Sequence, residues 1–186
     1  NSGEATVSKV HTINLREVAR YPSVGPNNAG LLANQEHSPS RTAIDLVGDA
    51  YVANRFFEGQ GSVTKFATRE EDCVDRNRNG RIETSRDANN NGIIDVNDPN
   101  EFVGQNDECI LWTVAVGRLA AIPRALAIDL GDANSPNGNV WVGCFDERTF
   151  YKLSGVDGSL VAGLPNPVSI PHSPYGAVLD ADSILW

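Results

Sequence analysis

Residues 41–55 read RTAIDLVGDAYVANR: a short apolar run ending in Asp45, a Leu-Val-Gly-Asp turn, and a second run through Tyr51 and Val52. Two short alternating runs split by turn formers make a β-hairpin and not a helix. The pattern recurs. Residues 124–146 (RALAIDLGDANSPNGNVWVGCFD) carry Asp129 before a Gly/Asn-rich turn and Trp141 after it, and residues 174–186 (PYGAVLDADSILW) carry Asp180 and Trp186. A second recurrent run holds a lysine at a fixed place: Lys9 in ATVSKVHT, Lys65 in SVTKFAT and Lys152 in TFYKLS. Each is followed by another strand candidate, at 17–21, 110–116 and 159–162. The unit is four short antiparallel strands, so the expected fold is all-β, with about three β-propeller blade equivalents in a single domain over residues 1–186. A β-sandwich is the alternative.

In this register the chain opens on the third and fourth strands of a blade and ends on the first and second. Head and tail read as complementary halves, as in the closures that hide propeller edges. Either the chain is an excerpt of a longer polypeptide, or further copies complete a closed ring or fibre.

The net charge of -9 excludes a phosphate-tracking nucleic-acid binder. No apolar run approaches the length of a transmembrane helix, and residues 1–4 lack signal-peptide character, so the chain reads as mature, trimmed or excerpted. Much of the acid lies between residues 70 and 108. Cys73 and Cys109 bracket this segment as a disulfide staple would; two unrelated buried thiols are the alternative. Zinc would need a second close cysteine pair or nearby histidines. Cys144, in an apolar strand, is expected to be a buried small hydrophobe.

Within the inserted segment 73–109, Asp75, Asn77, Asn79 and Gly80 spell D-x-N-x-N-G and continue to Glu83. Asp87 then opens a second copy with Asn89, Asn91, Gly92, Asp95 and Asp98. Calcium takes six to eight oxygen ligands, and alternate residues of a curled loop point inward to supply them. Glycine at the sixth position takes a backbone angle that other residues resist. The seventh residue, Arg81 or Ile93, offers its carbonyl, and Ile82 or Ile94 packs beneath. Two Ca2+ ions are expected. The first loop has Arg86 at position twelve, where an acid is wanted, and Asp87 is placed to serve both loops. With asparagines at positions three and five, an extracellular affinity on the order of 10⁻⁴ to 10⁻³ M is expected. A solvated Asn/Asp-rich linker is the alternative.

The phrases NSGEATVSKV (1–10), PSRTAIDLVGDAYVANR (39–55) and GNVWV (138–142) resemble the blades of NHL-type and streptogramin-lyase-like propellers of secreted bacterial proteins. The calcium segment is similar to the tandem loops of thrombospondin type 3 repeats and dockerins. The lyase resemblance would imply histidine and acidic side chains at the ring's centre. None of His11, His37 and His172 falls on a matching position, so no catalytic residue is carried over.

The expected function is that of a non-enzymatic, secreted, extracellular or cell-surface protein (periplasm included), with structural calcium and no transmembrane segment. Its partners would be an extracellular protein, a glycan or itself, with Phe56, Phe57 and Tyr175 as aromatic candidates on loops. The competing reading is a lyase or hydrolase at a central funnel. There Arg41, Arg55 and Arg124 would line a channel for an anionic ligand; salt bridges between blades are the plainer role for them. The 16-residue connection at 25–40 is long enough to carry function as well.

Overall fold

The structure, a computed structural model, describes residues 3–25 and 37–186. The described residues form strands, short 3-10 turns and loops, and the chain is all-β as expected. Ten strands make three antiparallel sheets. The first sheet pairs β1 (Thr6–Val10) with β2 (Glu17–Pro22). The second runs in order through β3 (Ser38–Ile44), β4 (Ala50–Arg55), β5 (Gln60–Phe66) and β6 (Ile110–Leu119). The third contains β7 (Pro123–Ile128), β8 (Val140–Cys144), β9 (Thr149–Leu153) and β10 (Val168–Ser169), again as sequential neighbours. Of the 25–40 connection, residues 26–36 lie outside the described residues; His37 is buried against Phe56, and Ser38 already begins β3.

The second sheet is covered on both faces. Along β4, Tyr51 and Ala53 pack with Trp112, Leu126, Val140, Val142 and Leu153 toward the third sheet. Val52, between them in sequence, packs the other way with Ala19, Tyr21, Phe66 and Ile110 toward the first. Successive side chains on a strand point to opposite faces, so burial on both sides gives β4 and β5 nearly continuous burial. Each fully buried Val or Phe contributes about 1.5–3 kcal/mol relative to exposure.

Several polar side chains inside these layers bond one another, although Ser23 Oγ, Asn54 Oδ1 and Trp112 Nε1 are buried without a partner among the described residues. Asn54 donates to Ser23 O (2.7 Å), Ser62 Oγ and Thr64 Oγ1, and Thr64 Oγ1 donates to Ser23 O at 2.6 Å. The repeat read from the sequence has a structural meaning here. Asp45 accepts the Val47 and Asp49 amides and the Tyr51 hydroxyl, while Lys65 lies 3.1 Å from Asp45 and 3.2 Å from Asp49. In the third sheet Asp129 accepts the Gly131 and Asn139 amides and the Trp141 indole N–H, with Lys152 at 2.8 Å. Both lysines also lie over the aromatic ring, at 5.2 Å from Tyr51 and 5.5 Å from Trp141. Asp180 likewise accepts the Asp182 and Ile184 amides and the Trp186 indole.

Two strand expectations are revised. Residues 159–162 make only a bridge at Leu160, and β10 takes the fourth place in the sheet. The Asn166 side chain explains this: it accepts from Lys152 N and donates to the Lys152 and Val161 carbonyls, occupying the ladder position beside β9. Pro165 and Pro167 cannot donate to a ladder, so the run breaks between them. Residues 174–186 turn back as a hairpin, with Val178 and Trp186 exchanging backbone hydrogen bonds, but with a single bridge in place of regular strands.

Lys65→Met would leave two buried carboxylates without their cation and is expected to destabilise the protein by about 3–5 kcal/mol in urea unfolding. A loss below about 1 kcal/mol would mean the trio behaves as a surface pair. Desolvation opposes ionisation of Asp129, but Lys152 and the Asn139 and Gly131 amides outweigh it and hold its pKa below the usual carboxylate range. A depressed folded pKa stabilises above the unfolded value and loses that stabilisation as pH falls through the folded one. Asp129→Asn should therefore cost about 1–2 kcal/mol at neutral pH. The gap to wild type should close as pH drops below about 4; a gap independent of pH would exclude the charged form as its source.

Candidate metal centre

The inserted segment leaves the second sheet after β5 and returns at β6, two strands that are direct neighbours. At its base Cys73 and Cys109 form a disulfide with Cα atoms 4.4 Å apart, and the Ala67 amide donates to Cys109 O. Cys144, by contrast, is a free buried thiol, and burial pushes its pKa up.

The two loops have the same internal geometry. In the first, Asp75 accepts the Asn79 and Gly80 amides at 3.1 and 2.8 Å; in the second, Asp87 accepts those of Asn91 and Gly92 at 3.0 and 2.8 Å. Asn77 Oδ1 accepts Asn79 N as Asn89 Oδ1 accepts Asn91 N, both at 2.9 Å. Asn79 Oδ1 accepts Arg81 N, and Asn91 Oδ1 accepts Ile93 N. Arg78 and Asn90, at the fourth position, take φ of 59° and 61°, and Gly80 and Gly92, at the sixth, take 80° and 91°. Such positive angles favour glycine and tolerate asparagine. Below the loops Ile94 is fully buried, and Ile82 packs against the core beside Tyr21 and Phe66.

The acids beyond the first half of each loop behave less uniformly. Glu83 is turned inward, receiving the side-chain amides of Asn77 and Asn79 at 2.8 and 2.7 Å, which hold its carboxyl below the usual range. Asp95 instead accepts from Asn97, and Asp98 from Asn100, so both cap local turns. Asp87 makes its hydrogen bonds within its own loop and to Arg16, whose Nη2 lies 2.7 Å away. Desolvation raises its pKa, yet the Gly92 amide, Arg16 and the Asn91 amide leave it lowered. These contacts tie Asp87 to the second loop and, through Arg16, to the turn between β1 and β2, with no hydrogen bond toward the first loop among the described residues.

Two glutamates outside the sequence motif complete the geometry. Glu108, 2 % exposed, accepts Arg76 N at 2.7 Å and Glu83 N at 2.9 Å, with Asn77 N at 3.4 Å. Glu101, 1 % exposed, accepts Asn89 N at 3.2 Å and Asp95 N at 3.0 Å. Each carboxylate therefore bonds the third and ninth amides of its loop, Glu108 across the disulfide and Glu101 from just past Asp98. Among the described residues neither forms an ion pair with Lys, Arg or His. A buried carboxylate without a cation is costly, and backbone amides offset only part of that. Sequence spacing could not find them, because the twelve-residue motif ends before either one.

The segment is bound to the first sheet as well. Glu17 N donates to Gly92 O, Ile94 N donates to Glu17 Oε2, and Arg20 N donates to Ser85 Oγ, all at 2.8–2.9 Å. The loops thus cover β2 and cross-link two sheets.

Among the described residues no three His, Cys, Asp or Glu side chains gather as a cluster able to hold a metal. A cation seated in either loop would draw part of its shell from Asn and backbone carbonyl oxygens, the mixed oxygen set that suits calcium and not zinc. None of the three histidines joins this region. Compared with protein-family models and with curated proteins, the sequence matches none.

Glu108→Gln and Glu101→Gln keep size and one acceptor oxygen but remove the charge. Each is expected to loosen its own loop, raising amide hydrogen exchange at 76–83 or 89–95 respectively by roughly tenfold or more, equivalent to about 1–3 kcal/mol. Equal loosening of both loops by either variant would contradict the one-acid-per-loop assignment.

Proposed function

We propose that this chain is part of an extracellular β-propeller in which two calcium ions brace an inserted segment, and that it serves as a binding or structural module and not as an enzyme. The observation that carries the calcium reading is the pair of buried, cation-free glutamates, one beneath each D-x-N-x-N-G loop. In this reading the first ion sits among Asp75, Asn77, Asn79, the Arg81 carbonyl and Glu83, and Glu108 lies beneath the loop on its backbone amides. The second sits among Asp87, Asn89, Asn91 and the Ile93 carbonyl, with Glu101 beneath the loop on its backbone amides and Asp95 and Asp98 at its rim. Each ion supplies the positive charge that the carboxylates otherwise lack. The disulfide agrees with an oxidising compartment, and no helix among the described residues is long and apolar enough to cross a membrane.

The propeller reading is supported by the repeated cluster of aspartate, aromatic ring and lysine in successive, face-packed sheets. Asp180 and Trp186 have the first two members of a third cluster, and Lys9, at the corresponding place in β1, bonds the Thr68 carbonyl. A ring would bring such halves together, within a longer chain or between copies.

Removing calcium with a chelator is expected to lower the melting temperature by several degrees and open residues 74–108 to proteases, while far-ultraviolet circular dichroism of the sheets persists. Melting and cleavage unchanged by chelation would overturn the reading.

A further inference from the structure

Arg41 on β3, Arg55 at the end of β4 and Arg124 on β7 come together where the edge strands of the second and third sheets meet, with Ser40 Oγ donating to Pro123 O across the seam. The carboxylate partners expected of interlocking salt bridges are absent: among the described residues none of the three arginines forms an ion pair. Two of them, Arg41 and Arg124, gather instead around an exposed aromatic ring. The guanidinium carbons of Arg124 and Arg41 lie 4.0 and 4.8 Å from the centroid of Tyr175, which is 52 % exposed, and Arg124 donates to its hydroxyl. Tyr175 is itself propped edge-on by Phe145, and Arg55 stacks over Phe57 at 5.5 Å. The Nε atoms of Arg55 and Arg124 are buried and lack any hydrogen-bond partner.

Three like charges at this separation repel one another. Burial, Arg124 and Arg41 together lower the pKa of Arg55, and hydrogen bonds from Arg124 and Arg41 lower that of Tyr175. In a chain with 24 acidic against 15 basic residues, carboxylates to neutralise such a cluster are plentiful, yet among the described residues none pairs with it. Guanidinium forks match planar and tetrahedral oxyanions bidentately. Arginine stacking on the Tyr175 ring fixes the forks in advance, so less freedom is lost when an anion arrives.

We propose that Arg41, Arg55, Arg124 and Tyr175 form a binding site for an oxyanion group, namely a carboxylate, sulfate or phosphate carried by a ligand or partner. The site is distinct from the calcium segment and independent of it.

The test compares the calcium-loaded protein with R124Q and with the double variant R41Q/R124Q, in sulfate, inorganic phosphate or glucuronate against chloride at matched ionic strength. Sulfate and phosphate stabilise proteins generally by exclusion, so the readout is the difference between wild type and variant. At least one oxyanion should raise the wild-type melting temperature more than that of the double variant, and the one with the largest difference names the group. Calorimetric titration of the same anion into wild type should saturate, with affinity about tenfold weaker in R124Q, the loss expected for one charge-assisted hydrogen bond. Both variants should melt in chloride no lower than wild type, because a like-charge contact is relieved. The proposal is overturned if all three anions shift wild type and double variant equally, or if wild type gives no saturable heat. Because the wild-type titration needs no variant, misfolding of either variant leaves the test intact.

Discussion

A sheet covered on both faces has no solvent for its polar side chains, and that constraint organises this protein. β4 and β5 lie between two other sheets, so polar side chains on them gain most from partners inside. Asn54, through its amide NH2, Ser62, Thr64 and Thr113 form a hydrogen-bonded row, while Asn54 Oδ1 is buried without a partner among the described residues. Asp45, Asp49 and Lys65 form a compensated charge cluster held against Tyr51. The same arrangement in the third sheet, around Asp129, Trp141 and Lys152, makes the repeat a physical unit: the aspartate closes the turn, and the lysine of the third strand neutralises it.

The inserted segment follows a similar logic with a different currency of contact. It is rich in asparagine and aspartate, and Val74 and Ile93 are exposed, so it cannot fold on hydrophobic burial alone. Covalent closure by Cys73–Cys109, hydrogen bonds to β2, and carboxylates pointed into each loop take that role. Docking on β2 also covers an edge that would otherwise offer unpaired backbone groups to other chains. The segment therefore acts as a brace between the first two sheets, more than as an ornament on a loop.

Much of this was legible in the residue pattern. The all-β class, the hairpins around Asp45 and Asp129, the fixed lysines, the disulfide and the glycines at the sixth loop position all follow from local rules of alternation, turn chemistry and spacing. What escaped depends on contacts far apart in sequence. Glu108 belongs to a loop that began 33 residues earlier (108 minus 75), and Glu101 lies beyond the motif that defines the second loop. Asn166 replaces a strand by presenting its side chain as a ladder partner, which no periodicity signals. The arginines were visible, but only the fold reveals that Arg41 and Arg124 converge on Tyr175 with no carboxylate paired to them among the described residues.

The central claim, that buried glutamates beneath paired Asn-rich loops mark two calcium sites, is tested most directly by counting bound ions with native mass spectrometry of the calcium-equilibrated protein. The account requires two Ca2+ per chain, falling to one in Glu108→Gln and to one in Glu101→Gln. A wild-type chain that carries no calcium, or variants that keep both ions, would contradict it.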